Sequence, residues 1–174
     1  ANKGLSFWET CFKEGKQLHV EPYGTEALHV MRAEKGFIMI GDETDGTVTP
    51  QDLNLGWAVS KKKKDFIGKR AQARKFLTRD DRKQLVGLET QDSQFVLPEG
   101  AHAVSGQRND GRLQMIGHVT STYYSPTLGR SIAFGLIESG FKRMGQVLNF
   151  PLPDGSTAIA KVVSPVFYNP EEKI

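Results

Sequence analysis

Disulfide bonds, zinc sites and membrane spans are the first things this sequence leaves out. Its single cysteine, Cys11, has no internal partner, and no Cys/His spacing resembles a zinc site. One thiol alone favours a reducing compartment. No apolar run approaches the ~18 residues of a membrane span, and no charged start with an apolar middle marks a secretory leader. The expectation is a cytoplasmic protein that engages neither membrane nor metal. Charge of one sign is scarce too. A balance of 23 basic and 20 acidic residues leaves a net charge of +3, which suits an anionic ligand but falls short of a nucleic-acid signature. Nothing in the chain resembles a dinucleotide fingerprint.

What is present is ordinary globular composition, 38% hydrophobic and 25% charged over 174 residues, enough for one domain or a domain plus part of another. The first residue is not methionine and helical pattern begins almost at once, so the chain reads as a piece of something longer. Ser6 and Glu9 have capping-box spacing for a first helix to about Lys16, with Phe7, Trp8, Cys11 and Phe12 on one face. That aromatic stripe demands a packing partner. Thr25 is the expected N-cap of a second helix to Lys35, with Leu28 and Met31 on its buried side, Glu26 in its first turn and Arg32 and Lys35 in its last.

The passage from Arg32 to Arg70 then combines Gly36, Gly41, Gly46 and Gly56 with the Thr49-Pro50 pair, Trp57 and the run Lys61 to Lys64. Gly36 can supply a left-handed cap, Phe37 to Ile40 reads as a short strand before a Gly-Asp turn, and Asp65 to Phe76 reads as a short helix. After a charged hinge at Arg79 to Lys83 the texture changes. Six short strand candidates follow (QLVGLE, HAVSG, QMIGHVTSTYYS, SIAFGLI, QVLNFP, TAIAKVVS), with Asn109-Asp110-Gly111 and Pro153-Asp154-Gly155 as the clearest hairpin turns. The predicted class is α+β: residues 1–80 form a partial sheet-and-helix subdomain, and residues 81–174 form a small antiparallel, Greek-key-like β-barrel.

The passage RAEKGFIMIGDETDGTVTPQDLNLGW followed by DFIGKR, with the later GHVTSTYYSPTLGRSIAFGLIE, resembles the folate-binding aminomethyltransferase family, that of the glycine-cleavage T-protein. Arg32, Glu34, Gly36, Gly41, Asp42, Thr49, Pro50, Gly56 and Trp57 satisfy the family's order and spacing, and the likeness is strongest to its sarcosine-oxidase alpha-subunit branch. A T-protein arginine that contacts folate falls on Leu28 here, so that contact is absent or replaced. The family's catalytic aspartate and first subdomain lie upstream of the equivalent of Ala1.

The resemblance implies a parent that oxidatively demethylates sarcosine and passes the one-carbon unit to tetrahydrofolate. This chain would supply at most a partial tetrahydrofolate site and no catalytic residue. FAD, FMN and NAD would belong to missing regions or partner subunits. The implied partners are tetrahydrofolate, other sarcosine-oxidase subunits or upstream chain, and a second copy of this chain, with no nucleic acid and no membrane. A folate site needs a flat apolar slot, and Trp57, Tyr123 and Tyr124 could offer aromatic surface, although each is more often core. Tyr168 falls near a ligand-contacting tyrosine of the family. Lys61 to Lys64 is read as a solvated loop ahead of a steering patch for folate's glutamate tail. Glu34 can pair with Arg32 and Lys35 or bond a backbone amide, and His118 reads as structural.

Two other classes stay open. A folate-binding family supporting tRNA modification shares a passing likeness at Lys35-Gly36, weakened by Phe37 where its cysteine stands. A non-catalytic folate-binding or subunit-assembly module is the other, and within the resembled family a glycine-cleavage T-protein-like aminomethyltransferase is the alternative parent. The aromatic stripe of the first helix predicts self-association. Sedimentation should show mass rising with concentration, and a strictly monomeric chain at high concentration would contradict this.

Overall fold

Runs of β-branched and apolar residues between Gly, Pro and Asn-Asp turns form the six strands that the sequence predicts. In the computed structural model, which describes residues 2–170, these are β1 (Lys83–Thr90), β2 (His102–Gln107), β3 (Leu113–Ser125), β4 (Arg130–Glu138), β5 (Val147–Pro151) and β6 (Thr157–Val163). They close into an antiparallel barrel in the order β1-β4-β3-β2-β5-β6. Strands β2, β3 and β4 follow one another by hairpins, and β1 lies beside β4, which makes the connection a Greek key. Both predicted hairpin turns are present. In the second, the Ser156 N–H and hydroxyl donate to Asp154 Oδ1 at 2.9 and 2.6 Å.

Two apolar clusters explain why some strands alternate and others do not. On β6, buried and exposed residues alternate, because only its inner face is covered. On β4 every residue from Ser131 to Ile137 is buried. Ala133 and Ile137 fill the barrel with Val86, Leu88, Ile116 and Phe150, while Ile132, Phe134 and Leu136 face outward against Ala33, Leu53 and Leu85. A strand covered on both faces loses its polar side, hence the unbroken run SIAFGLI.

The first part of the chain comprises α1 (Gly4–Gly15), α2 (Thr25–Glu34), a long loop and α3 (Lys69–Gln72), and the outer cover is α2 with the loop that follows it, while α1 and α3 bury almost nothing. Several expectations fail here. Helix α1 begins two residues before Ser6 with no side-chain cap, and Ser6 accepts through its carbonyl from Thr10 Oγ1 at 2.8 Å. Gly24, in extended backbone, stands at the N-cap of α2, so Thr25 is its first residue. Phe37 to Ile40 makes no strand and keeps a single isolated bridge, Ile40 to Thr44, because a buried side chain, Glu43, takes the Met39 N–H instead. Asp65 to Phe76 is helical only over Lys69–Gln72, since Gly68 at φ +95° breaks the run. The expected buried side of α2 is also reversed. Leu28 and Met31 are 44% and 46% exposed, whereas Arg32, Ala33 and Glu34 are buried. The stripe on α1 stays open, with Phe7 72% and Trp8 55% exposed. No helix among the described residues is long and apolar enough to cross a membrane.

The predicted charged hinge is in fact partly a clamp. Arg82 holds the buried Asp52 through Nη2–Oδ2 at 2.6 Å and Nε–Oδ1 at 3.1 Å, and its Nη2 also donates to the Thr47 carbonyl. Asp52 accepts in addition from the Thr49 N–H and hydroxyl, each at 2.8 Å. Its charge is therefore met on several sides, which a buried carboxylate requires.

Half-buried His118 lies beside the same loop, opposite His102 on β2. Burial pushes its imidazole below the ordinary 6.5; Lys83 and His102 push the same way, and Asp45 opposes them. The unfolded chain therefore binds a proton that the fold resists. Stability should be fully present above about 6.5 and fall as pH drops from there toward the folded value. Urea midpoints from about pH 8 to about pH 5 should decline, and His118→Gln should flatten that decline. An unchanged slope in the variant would contradict the assignment.

Candidate functional site

Helix α2 ends against the outer face of β3 and β4, and its last turn carries charge into that contact. Gly36 closes the helix at φ +79°, with the Phe37 N–H returning to the Arg32 carbonyl at 2.8 Å. A Cβ on Gly36 would stand 2.9 Å from Val166 and 3.0 Å from the Pro165 carbonyl, so the glycine is required twice, by its backbone angle and by the chain passing over it.

Arg32 is the centre of a buried polar network. Its Nη1 donates to Glu43 Oε2 at 2.8 Å and to the Phe37 carbonyl at 3.2 Å; its Nη2 donates to Ser121 Oγ at 2.7 Å and to the Tyr123 hydroxyl at 3.1 Å. The guanidinium carbon lies 5.5 Å from the ring centroids of both Tyr123 and Phe134. Glu43 is 0% exposed and accepts from the Met39 N–H at 2.7 Å, from Thr120 Oγ1 at 3.0 Å and from Ser121 Oγ. Ser121 thus relays one guanidinium hydrogen bond onto the carboxylate. Of the three guanidinium nitrogens of Arg32, Nε has no partner among the described residues.

Glu34, one turn edge away, is also buried. Its carboxylate accepts from Ser125 Oγ, and its carbonyl accepts from the Phe167 and Tyr168 N–H groups at 3.0 and 2.8 Å. Glu34 therefore bonds a strand hydroxyl, not the neighbouring cations Arg32 and Lys35. The segment Ser164 to Phe167 reaches that carbonyl by crossing β1 at Gly87, where a Cβ would meet the Ser164 carbonyl at 2.3 Å. Phe167 then stacks on Phe134 at 5.9 Å.

These contacts leave a cavity of about 400 Å³ between α2 and the end of β3. Glu26, Val30, Met31 and Glu34 form one wall, and Tyr123 and Tyr124 form the other. Two of the four sequence-predicted contacts therefore share it. Tyr123 has its hydroxyl committed to Arg32, while Tyr124 is partly exposed. Tyr168 is fastened through its backbone at the Glu34 end of α2 but does not line the cavity. Trp57 stands on a single turn, Gly56–Ala58, 80% exposed and away from this wall. Lys61 to Lys64 is exposed. Among the described residues no cluster of three His, Cys, Asp or Glu could hold a metal ion.

Sequence reasoning picked out Arg32 and Glu34 as motif residues but missed Glu43, Thr120 and Ser121. The hydroxyl-rich stretch Thr120-Ser121-Thr122 inside a strand was the available signal, since hydroxyls facing a helix need polar partners.

Comparison with known proteins gives the same architecture. Residues 83–169 match the glycine cleavage T-protein C-terminal barrel domain, and residues 1–63 match the GCVT N-terminal domain. The sarcosine oxidase subunit alpha of Corynebacterium sp. (strain U-96) is 46% identical over 170 residues, 97% of this chain and 17% of that protein. An aminomethyltransferase of Clostridium botulinum (strain Okra / Type B1) is 36% identical over 148 residues, 84% of this chain and 37% of the relative. The crystal structure of the glycine cleavage system aminomethyltransferase T from Bartonella henselae superposes with a TM-score of 0.76 at 27% identity, covering 95% of this chain and 44% of that one. The chain thus spans less than a fifth of the length of the sarcosine oxidase subunit and under half of the two aminomethyltransferases. With its barrel, its helix-capping motif and its sequence all in agreement, the chain belongs to the glycine-cleavage T-protein family.

Proposed function

We propose that this chain is the folate-facing portion of a sarcosine-oxidase-type alpha subunit, whose parent demethylates sarcosine oxidatively and delivers the one-carbon unit to tetrahydrofolate. The observation that carries this reading is the difference in identity: 46% over 97% of the chain to the sarcosine oxidase subunit, against 36% over 84% to the aminomethyltransferase. Residues 1–80 complete a folate subdomain and residues 81–174 form the barrel that braces it.

Tetrahydrofolate, when bound, supplies the amine that accepts the one-carbon unit. The α2 cavity fits one part of it. Val30, Met31 and Tyr124 offer an apolar, flat surface, and Glu26 is a carboxylate at its edge able to accept hydrogen bonds from a pterin amine. No cation lines this cavity among the described residues, so the glutamate tail has no partner in it. The site on this chain is accordingly partial. Tyr123 and Glu34 hold the walls, since each is fastened to a neighbouring element, and Tyr124 makes the contact. Flavin and dinucleotide chemistry reside elsewhere in the parent.

Calorimetric titration with tetrahydrofolate tests this. Weak, saturable binding is expected, and Tyr124→Ala should weaken it roughly 2- to 12-fold, the equivalent of about 0.5–1.5 kcal/mol for one aromatic contact. Binding unaffected by the substitution would move the site elsewhere, and no heat at millimolar ligand would favour an assembly module. The purified 174 residues should neither oxidise sarcosine nor transfer an aminomethyl group.

A further inference from the structure

The barrel is not closed equally around its circumference. Strand β5 pairs with β6 from Val147 opposite Lys161 through Pro151 opposite Thr157, whereas β2 and β5 meet at the single pair Val104 and Asn149. Strand β2 slips register against β3 twice, between Ala103 and Val104 and again between Val104 and Gln107. Gly106, at φ +144°, lies in the second slip. Such bulges bend a strand away from its neighbour and end pairing.

Past Val104 the two strands therefore leave a groove of about 560 Å³, with Ser105, Gly106 and Gln107 along one side and Gln146, Val147 and Leu148 along the other. Strand edges without a neighbour present N–H and C=O groups in the spacing that another extended chain requires. Apolar side chains stand outward beside this edge, Val147 61% and Leu113 42% exposed, with Met115 and Ile159 exposed on the flanking strands.

Charge points to one kind of occupant. Arg143 lines the groove, and no acidic residue is among the described residues that do. Lys161 stands opposite Val147. The carboxylates nearby are already engaged, Asp110 with Arg112 at 3.8 Å and Glu89 with Arg130 at 3.0 Å. We infer that the β2/β5 seam is a strand-addition site for an extended acidic segment of another polypeptide, one that alternates apolar and carboxylate side chains. Its backbone pairs with Ser105–Gln107 or Gln146–Leu148, its apolar residues cover Val147 and Leu113, and its carboxylates meet Arg143 and Lys161. The contact is short, so binding is weak and falls with salt.

The test is an amide-shift titration of the isotope-labelled 174-residue chain with a blocked Glu-Val-Glu-Val-Glu peptide. Saturable shifts should concentrate at residues 105–107 and 146–148, weaken several-fold in high salt, and weaken several-fold in Arg143→Gln. The same peptide N-methylated at every residue cannot donate along either edge and should not bind. Equal binding of the methylated peptide, or no localised shift at millimolar peptide, would overturn the strand-addition site. Equal binding of Lys-Val-Lys-Val-Lys would overturn the acidic partner.

Discussion

A guanidinium placed between a helix and a barrel sets the terms for the rest of this structure. Arg32 is buried between the helix and the barrel, where an unpaired charge would cost several kcal/mol, so the chain must bring a carboxylate and further acceptors to it. Glu43 comes from a turn eleven residues on, and Ser121 and Tyr123 come from β3. Satisfying one side chain thus fixes the rotation of α2, the path of residues 37–43 and the face of β3 that they share. Replacing both partners with apolar residues can be neutral in such cases, while removing one costs roughly 3–5 kcal/mol. The pair therefore specifies an arrangement more than it adds stability.

Two further fastenings work in the same direction. Arg82 and Asp52 join the long loop to the start of β1, and the segment crossing Gly87 ties residues 167 and 168 to the carbonyl of Glu34. Each joins sequence-distant parts around β1 and β4, which with β3 are covered on their outer face. The cavity beside Tyr124 is a consequence of this bracing. Its walls are a helix and a strand held by buried polar contacts, which keeps the shape of the cavity without a dedicated loop.

The barrel was legible in the sequence because each strand carries its own period and its own turn residues. SIAFGLI and TAIAKVVS both announced strands; that the first is buried on both faces and the second on one came from the structure. The cover was far less legible. Apolar periodicity assigned Leu28 and Met31 to the inside of α2, yet the buried side is Arg32, Ala33 and Glu34. Periodicity assumes that charge faces water, and here the strand beneath supplies hydroxyls instead. Phe37 to Ile40 looked like a strand for the same reason, since nothing local reveals that Glu43 will claim the Met39 N–H. Of the aromatic candidates, Tyr123 and Tyr124 meet at one cavity because they are neighbours at the end of β3, whereas Trp57 lies on a separate exposed turn.

Because the tightest charged contact of α2 is the buried Arg32 and Glu43 pair at 2.8 Å, with Asp42 a more exposed second partner at 3.5 Å, protection of the helix should be separable from that of the barrel. Native-state hydrogen exchange in Glu43→Gln tests this most directly, since the amide keeps the shape and removes the charge. The amides of α2 and of residues 37–43 should lose protection by a large part of the roughly 3–5 kcal/mol expected for an orphaned buried partner, while the amides that pair β1 with β4 keep most of theirs. Equal loss throughout the barrel, or unchanged protection in α2, would show that the Arg32 and Glu43 pair does not organise this structure.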